Sequence, residues 1–379
     1  MSAERNVIRP GATIGVLGGG QLGRMLALAG RASGYRFITL DPTEDSPCSQ
    51  VCDRQILAGY DDVDGAMDLA QASDVITYEF ENVDAQVAAI LEDQSYVPQG
   101  SQLLRITQNR IDEKLTLESF DIPVAPFRII ANADEAERAI EQLGLPAVMK
   151  TATGGYDGKG QAVIRKAGEA AQAYQELQKS GADIIIEKFV PFVKEVSVIA
   201  ARSVSGEVAT FPVSENVHRE NILHLSIVPA RISDETAQKA EVVARTIAEK
   251  LDVRGLIAVE MFVTEDGGII VNELAPRPHN SGHYTMDACV TSQFEQHIRA
   301  ICDLPLGATR LLTPVVMVNI LGEHLAPILD KIDTFPATAK LHLYGKQDSK
   351  PKRKMGHINV LADSVEEALT IIEQMKIWE

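Results

Sequence analysis

Short runs in which apolar and polar positions alternate with a period of two are separated along this chain by stretches with helical spacing. Between about residue 11 and residue 100 the runs Thr13 to Leu17, Tyr35 to Leu40 and Val75 to Tyr78 are each followed by a helical pattern. That order predicts a parallel sheet with helices on its faces. Leu103 to Phe120 reads as one helical stretch carrying Arg110 and Lys114, broken by Pro123 and Pro126. Further short strands are predicted at Pro146 to Lys150, Gln161 to Ile164, Ile184 to Val190 and Val196 to Ala200, then a helix over Ser233 to Leu251. Beyond Asp303, strands near Thr313 to Ile320, Ala339 to Tyr344 and His357 to Val360 form a smaller unit. The predicted class is α/β in three domains, over residues 1–105, 106–302 and 303–379.

One pair of strands carries chemistry. Val259 to Val263 and Ile269 to Glu273 alternate on either side of Asp266-Gly267, a strong short-range hairpin signal. Counting outward symmetrically pairs Val263 with Ile270 and Glu260 with Glu273. Two carboxylates directly across a ladder repel unless compensated, and a magnesium ion held through their oxygens and through substrate phosphates would compensate them. The alternative is a solvated face or a shifted register. After the hairpin, Pro276 and Pro278 stiffen a loop that presents Arg277, His279, Asn280 and His283. A guanidinium there could hold a planar oxyanion and an imidazole could exchange a proton; the alternative is an ordinary surface turn.

Upstream, Lys150 ends a buried strand and so requires an anionic partner. It is followed by Gly154, Gly155, Gly158 and Gly160, four glycines in seven residues, whose amides could approach a phosphate. No Gly-Lys-Ser/Thr spacing is present, so this is not a Walker loop; a glycine-rich hairpin without a ligand is the alternative. The connector Glu187-Lys188-Phe189-Val190 offers main-chain groups suited to an adenine edge, and Glu195 a carboxylate suited to ribose hydroxyls.

At the N-terminus, Gly18-Gly19-Gly20-Gln21-Leu22-Gly23 follows a strand and opens a helix, and Asp41 ends the next strand. This matches a dinucleotide fingerprint and taken alone favours a nicotinamide or flavin cofactor. A dehydrogenase, however, needs neither a two-carboxylate hairpin nor a second phosphate loop.

The succession of strand-end lysine, glycine loop, Ile-Ile-Ile-Glu connector, second acid and Glu…Asn-Glu hairpin resembles the ATP-grasp superfamily. Over essentially its whole length the chain is similar to the 5-(carboxyamino)imidazole ribonucleotide synthase family. The likeness is carried by Gly20 to Met25, Tyr78 to Asn82, Thr153 to Gly160, Asn272 to Arg277 and His279 to His283. It implies an ATP-grasp fold with an N-terminal Rossmann-like domain and a small C-terminal domain. The implied reaction is ATP-dependent carboxylation of aminoimidazole ribonucleotide by bicarbonate through carboxyphosphate, with Mg2+, in a homodimer. ATP is expected on Arg110, Lys150, Gly155, Tyr156, Asp157, Gly158, Lys159, Gly160, Gln161, the Glu187 to Val190 connector, Glu195, His218, Asn272 and Glu273. Glu260 and Glu273 are the expected metal ligands. Ala275 stands where many superfamily members have asparagine, which puts a third protein ligand in question. The ribonucleotide is expected at Gln21, Leu22, Glu79, Tyr156 and Asn280, with Lys346, Arg353 and Lys354 on its phosphate. Arg277 would orient bicarbonate, Lys159 would act beside it, and His279 or Asp157 would accept the proton. For Arg110 the alternative is a solvated helix face, for His218 a turn histidine bonded to backbone, and for the Lys346 to Lys354 cluster a solvated turn or a nucleic-acid patch.

Composition narrows the field. The 379 residues are 45% hydrophobic and carry a formal charge of −17, which disfavours nucleic acid and anionic membranes as partners. No transmembrane-length run occurs and Met1 to Pro10 lacks a signal-peptide core, so the cytosol is expected. Cys48, Cys52, Cys289 and Cys302 show no CxxC spacing, and are expected to be reduced and packed. A formate-dependent glycinamide ribonucleotide transformylase of the same superfamily, a nicotinamide oxidoreductase and a noncatalytic nucleotide-binding regulator remain as competing readings.

Overall fold

The computed structural model describes residues 7–155 and 159–378; the expected site residues Tyr156, Asp157 and Gly158 lie outside them. The N-terminal sheet is parallel with order β3-β2-β1-β4, from β1 (Thr13–Leu17), β2 (Arg36–Leu40), β3 (Arg54–Ile56) and β4 (Val75–Tyr78). Helices α1 (Gln21–Ala32), α2 (Val63–Gln71) and α3 (Ala85–Gln94) accompany it. Asp62 and Asp84 start the latter two by accepting from backbone amides of the first turn, as N-caps do.

Two helices follow where one was expected. α4 (Gln102–Gln108) and α5 (Arg110–Ser119) are separated at Asn109, whose extended backbone stops the first and whose Oδ1 accepts from the amides of Ile111 and Asp112 to start the second. The apolar period runs on across the break, so periodicity could not reveal it; the cap residue could.

A second sheet, antiparallel with order β5-β8-β6-β7, contains β5 (Phe127–Ile130), β6 (Ala147–Thr151), β7 (Gln161–Ile164) and β8 (Ile184–Lys188). Helices α6 (Ala133–Leu143) and α7 (Ala170–Leu177) cover one face through Ala139, Ile140, Leu143 and Tyr174.

The largest sheet runs β14-β13-β9-β11-β12-β15-β17-β16, with β10 on β9. Its members are β9 (Phe192–Arg202), β10 (Val208–Thr210), β11 (Ser214–Arg219), β12 (Ile222–Val228), β13 (Gly255–Thr264), β14 (Ile269–Ala275), β15 (Val315–Leu321), β16 (Ala339–Leu343) and β17 (Lys354–Leu361). α8 (Asp234–Lys250) packs Ala240, Ala244 and Ile247 onto β9 and β13. The strands after residue 303 extend this same sheet, because β15 pairs with β12 from Leu225↔Val318 to Val228↔Val315. After the short α9 (Thr285–Ala288), α10 (Gln293–Ile301) returns to the first sheet, packing Phe294, Ile298 and Ile301 with Ile14, Met25 and Phe37. α11 (Gly322–Asp330) and α12 (Val365–Met375) close the C-terminal core around Ile328 and Ile372. Among the described residues no helix is long and apolar enough to cross a membrane.

Candidate active site

Glu260 and Glu273 do face one another across β13 and β14, but by a different register from the symmetric count. The Thr264 carbonyl accepts from the Gly267 amide and the Thr264 amide donates to the Gly268 carbonyl, so the loop contains three residues, closed by Gly267 at φ +76°. Such a loop pairs Val263 with Ile269, Phe262 with Ile270 and Met261 with Val271, not Val263 with Ile270. A bulge at Asn272 then takes up one residue and restores Glu260↔Glu273.

Both carboxylates line a cleft of about 630 Å³. Burial, and then the facing Glu273, push the Glu260 carboxyl up to about 8, and Asn272 Oδ1 beside them is buried without a hydrogen-bond partner among the described residues. A half-buried like-charge pair with an orphaned oxygen next to it is a fitting donor set for a hard divalent cation. No group of three or more His, Cys, Asp or Glu side chains suited to a metal occurs among the described residues, so a cation here would complete its shell from elsewhere, as magnesium does with phosphates.

Cations gather in the same cleft. Lys150 Nζ lies 3.0 Å from Glu187 Oε2. Arg110 reaches Glu273 Oε2 at 3.0 Å and Glu187 Oε1 at 3.7 Å, which corrects the solvated-face alternative for Arg110. Burial alone would raise Glu187; Lys114, Lys150 and Arg110 together outweigh it and hold the carboxyl at about 2. Lys150 is shifted down by burial and by Arg110 and Lys114, against the pull of Glu187. Three cations, Lys150, Arg110 and Lys114, are thus grouped around Glu187, with Glu273 on Arg110 and the buried Glu113 beside Arg110 and Lys114, donors that an incoming anion would share with these carboxylates. Gly155, Lys159, Gly160 and Gln161, from the glycine loop and β7, line the same cleft, as do Lys188, Phe189, Val190 and Glu195. His218 is on β11 with Nδ1 3.1 Å from Glu195 Oε2; it is a strand residue paired with a side chain, which corrects the backbone-bonded turn alternative.

Also lining the cleft, Arg277 makes a two-pronged ion pair with Glu81, its Nη2 2.8 Å from Oε1 and its Nε on Oε2. His279 Nε2 lies 3.2 Å from Glu260 Oε1, while its Nδ1 accepts from the Ser281 amide at 3.4 Å and meets Ser281 Oγ at 2.9 Å. Burial, and then Arg277, shift the imidazole well below its usual value. Asn280 exchanges amide hydrogen bonds with Asn319 at 2.7 and 3.1 Å.

The glycine turn is already occupied. Glu79, at the end of β4, accepts from the amides of Gly20 and Gly23, and burial raises its carboxyl to about 7. Asp41 accepts from the Gly19 amide at 2.8 Å and from Tyr60 at 2.6 Å. The amides that would meet a pyrophosphate, and the acid that would meet a ribose, are thus spent internally, which corrects the nicotinamide or flavin reading. Gln21 and Leu22 open α1 next to this carboxylate, Leu22 being buried. Of the C-terminal cations, Lys354 lines the cleft. Lys346 donates to the Lys354 carbonyl at 2.7 Å and, by burial and the nearness of Arg353 and Lys354, is brought down to about 8. Arg353 is exposed, donating to the Asp348 carbonyl at 2.9 Å. All four cysteines are free.

Three family models match in sequence: a ribonucleotide synthetase preATP-grasp domain over residues 11–108, an ATP-grasp domain over 115–294 and a phosphoribosylaminoimidazole carboxylase C-terminal domain over 315–370. The N5-carboxyaminoimidazole ribonucleotide synthase of Bacillus subtilis (strain 168) is 50% identical over 364 residues, covering 96% of this chain and 95% of the relative. The chain belongs to the N5-carboxyaminoimidazole ribonucleotide synthase family. A synthase of Brucella melitensis biotype 1 is 45% identical over 94% of this chain and 98% of its own. Solved structures agree: a Staphylococcus aureus N5-carboxyaminoimidazole synthetase complexed with ADP superposes with a TM-score of 0.92 at 41% identity, covering 98% of each chain. An Aspergillus clavatus N5-carboxyaminoimidazole synthase in complex with ADP and 5-aminoimidazole ribonucleotide gives 0.88 at 33% identity, covering 96% of this chain and 97% of that one.

Sequence reasoning missed Glu81 as the partner of Arg277 and Glu113 as a member of this site, and it gave Lys114 no role. For the latter two a signal existed: Arg110, Glu113 and Lys114 stand at i, i+3 and i+4 on one helix face.

Proposed function

We propose that this synthase-family chain carboxylates 5-aminoimidazole ribonucleotide with bicarbonate at the expense of ATP, through carboxyphosphate. The observation that carries the reading is a single cleft lined by the cation cluster of Lys150 and Arg110, by the facing carboxylates Glu260 and Glu273, and by Arg277 and Lys354. The triphosphate binds against Lys150, Arg110 and the glycine-loop amides, which neutralise its charge, while the Glu187 to Val190 connector receives the adenine and Glu195 the ribose. Glu260, Glu273 and the Asn272 oxygen would hold magnesium, which supplies charge neutralisation to the phosphates when bound.

Arg277 exchanges Glu81 for bicarbonate, a planar anion of the same bidentate geometry. There a bicarbonate oxygen attacks the γ-phosphorus and ADP leaves; the exocyclic amine of the ribonucleotide then takes the carboxyl group from carboxyphosphate, releasing inorganic phosphate and giving up a proton. His279 and Asp157 are the candidate proton acceptors, and Lys159 acts beside the phosphates. The ribonucleotide lies by Gln21, Leu22, Glu79, Tyr156 and Asn280, its phosphate on Lys346, Arg353 and Lys354. A homodimer in the cytosol accompanies this reading, the −17 charge disfavouring nucleic acid and anionic membranes. The transformylase alternative is less well supported, because the full-length relatives are named as synthases.

The test is isotopic. With [18O]bicarbonate, attack on the γ-phosphorus delivers one labelled oxygen into the inorganic phosphate released; unlabelled phosphate would refute the acyl phosphate.

A further inference from the structure

The tip of the β13–β14 hairpin and its base call for different registers. Continued unchanged from the three-residue loop, the pairing at the tip would set Glu260 against Asn272 and Glu273 against Val259. Directly opposed residues share a face and successive ones alternate, so the two carboxylates would then project from opposite faces of the sheet. Asn272 is skipped by the ladder, and that one residue turns Glu273 to the Glu260 side.

A bulge leaves backbone groups outside the ladder, and buried ones need other partners. Helix α5 supplies them. Lys114 Nζ donates to the carbonyls of Val271 and Asn272, at 3.3 and 2.9 Å. Glu113 Oε2 accepts from the Leu274 amide at 2.9 Å. The Lys114 side chain has 0% exposure, with Glu187 Oε2 3.9 Å away and Glu113 a further anionic neighbour. A fully buried lysine is costly unless its donors are all used, and here they are directed at the two carbonyls flanking the register change.

We propose that Lys114 and Glu113 are positioning residues for the cation: they clamp the bulge of β14 and so hold Glu273 opposite Glu260. This rests on the reading of that pair as magnesium ligands. Both side chains act through the backbone of residues 271–274, with Glu273 as the group that responds.

The experiment uses the full-length enzyme with ADP and Mn2+ as the probe, reading bound Mn2+ by electron paramagnetic resonance and ADP binding without metal by calorimetry. Lys114→Met should weaken Mn2+ binding in the ADP complex by about 10–100-fold, the range seen when groups that orient metal ligands are lost. Metal-free ADP binding should fall by a clearly smaller factor, and the Michaelis constant for the ribonucleotide should not change. Should Lys114→Met fail to fold, Lys114→Gln keeps one donor for a carbonyl and should show the same selective loss to a smaller extent. Unchanged Mn2+ binding in a folded variant, or loss of Mn2+ and metal-free ADP by the same factor, would overturn the positioning role. Glu273→Gln, measured alongside, separates the two failures: if it too leaves Mn2+ binding intact, the carboxylate pair is not the metal site at all.

Discussion

Glu273 is the residue on which the chemistry of this cleft turns, being paired at once with Arg110 at 3.0 Å and with Glu260 across the ladder. Glu273→Gln keeps its shape and removes one of two repelling charges. Magnesium-dependent turnover should fall by roughly 100-fold or more while the melting temperature holds, as steady-state kinetics and thermal unfolding would show; wild-type turnover would exclude metal ligation. Lys346 and Arg353 test the other substrate. Alanine at either should raise the Michaelis constant of the ribonucleotide by about tenfold or more with a smaller effect on ATP, and the double variant should show less than the sum, since both donors share one dianion. An oligonucleotide titration of the same variants checks the solvated-turn and nucleic-acid alternatives. The carboxylate pair was legible because a hairpin count needs only local sequence. It reached the right partners through a compensated error, a loop one residue longer than assumed and a bulge that took the extra residue up. The Arg277–Glu81 pair joins residues far apart in sequence, and no local pattern specifies such a contact.

Elements differ in the same way. Gly20 opens α1 with its amide on Glu79, and a Cβ there would lie 2.7 Å from Glu79 Oε1. Gly20→Val must therefore displace that carboxylate. Its expected effect, measured by separate titrations, is ribonucleotide binding weakened by about tenfold or more with ATP binding spared, in line with the loss of a buried charge-assisted contact. Loss of ATP binding instead would tie the turn to the nucleotide. Runs such as Ile184 to Ile186 were readable as strands because they are β-branched and fully buried, whereas the less apolar Arg54–Ile56, Phe127–Ile130, Val208–Thr210, Ser214–Arg219 and Ile222–Val228 were not anticipated. The glycine turn was readable as a turn but not in its use, since the fingerprint describes the backbone and leaves open what fills it; here Glu79 does. The α4–α5 break was missed because the apolar spacing continues through Asn109.

At the scale of the whole molecule, α10 ties the first sheet to the largest one. His297 on α10 has Nε2 2.8 Å from Thr77 Oγ1 of β4, and its ring stands against Gly255 of β13. Burial lowers its pKa to about 3. A histidine held neutral in the fold contributes stability above its unfolded pKa near 6.5 and loses it as pH falls toward the folded value. Wild type should therefore lose on the order of 3 kcal/mol more than His297→Gln between pH 6.5 and 4, as denaturant unfolding at each pH would reveal; parallel losses would contradict the assignment. Three units were anticipated from alternating patterns. That β15 would join β12 was not, because strand order across a sheet depends on pairings that periodicity does not encode. The central claim is tested most directly by phosphate release from ATP, measured with bicarbonate or formate against aminoimidazole ribonucleotide or glycinamide ribonucleotide. Rapid release that requires bicarbonate and aminoimidazole ribonucleotide together, with the carboxylated amine as product, is the predicted result; release that instead requires formate and glycinamide ribonucleotide, or none with any pair, would contradict it.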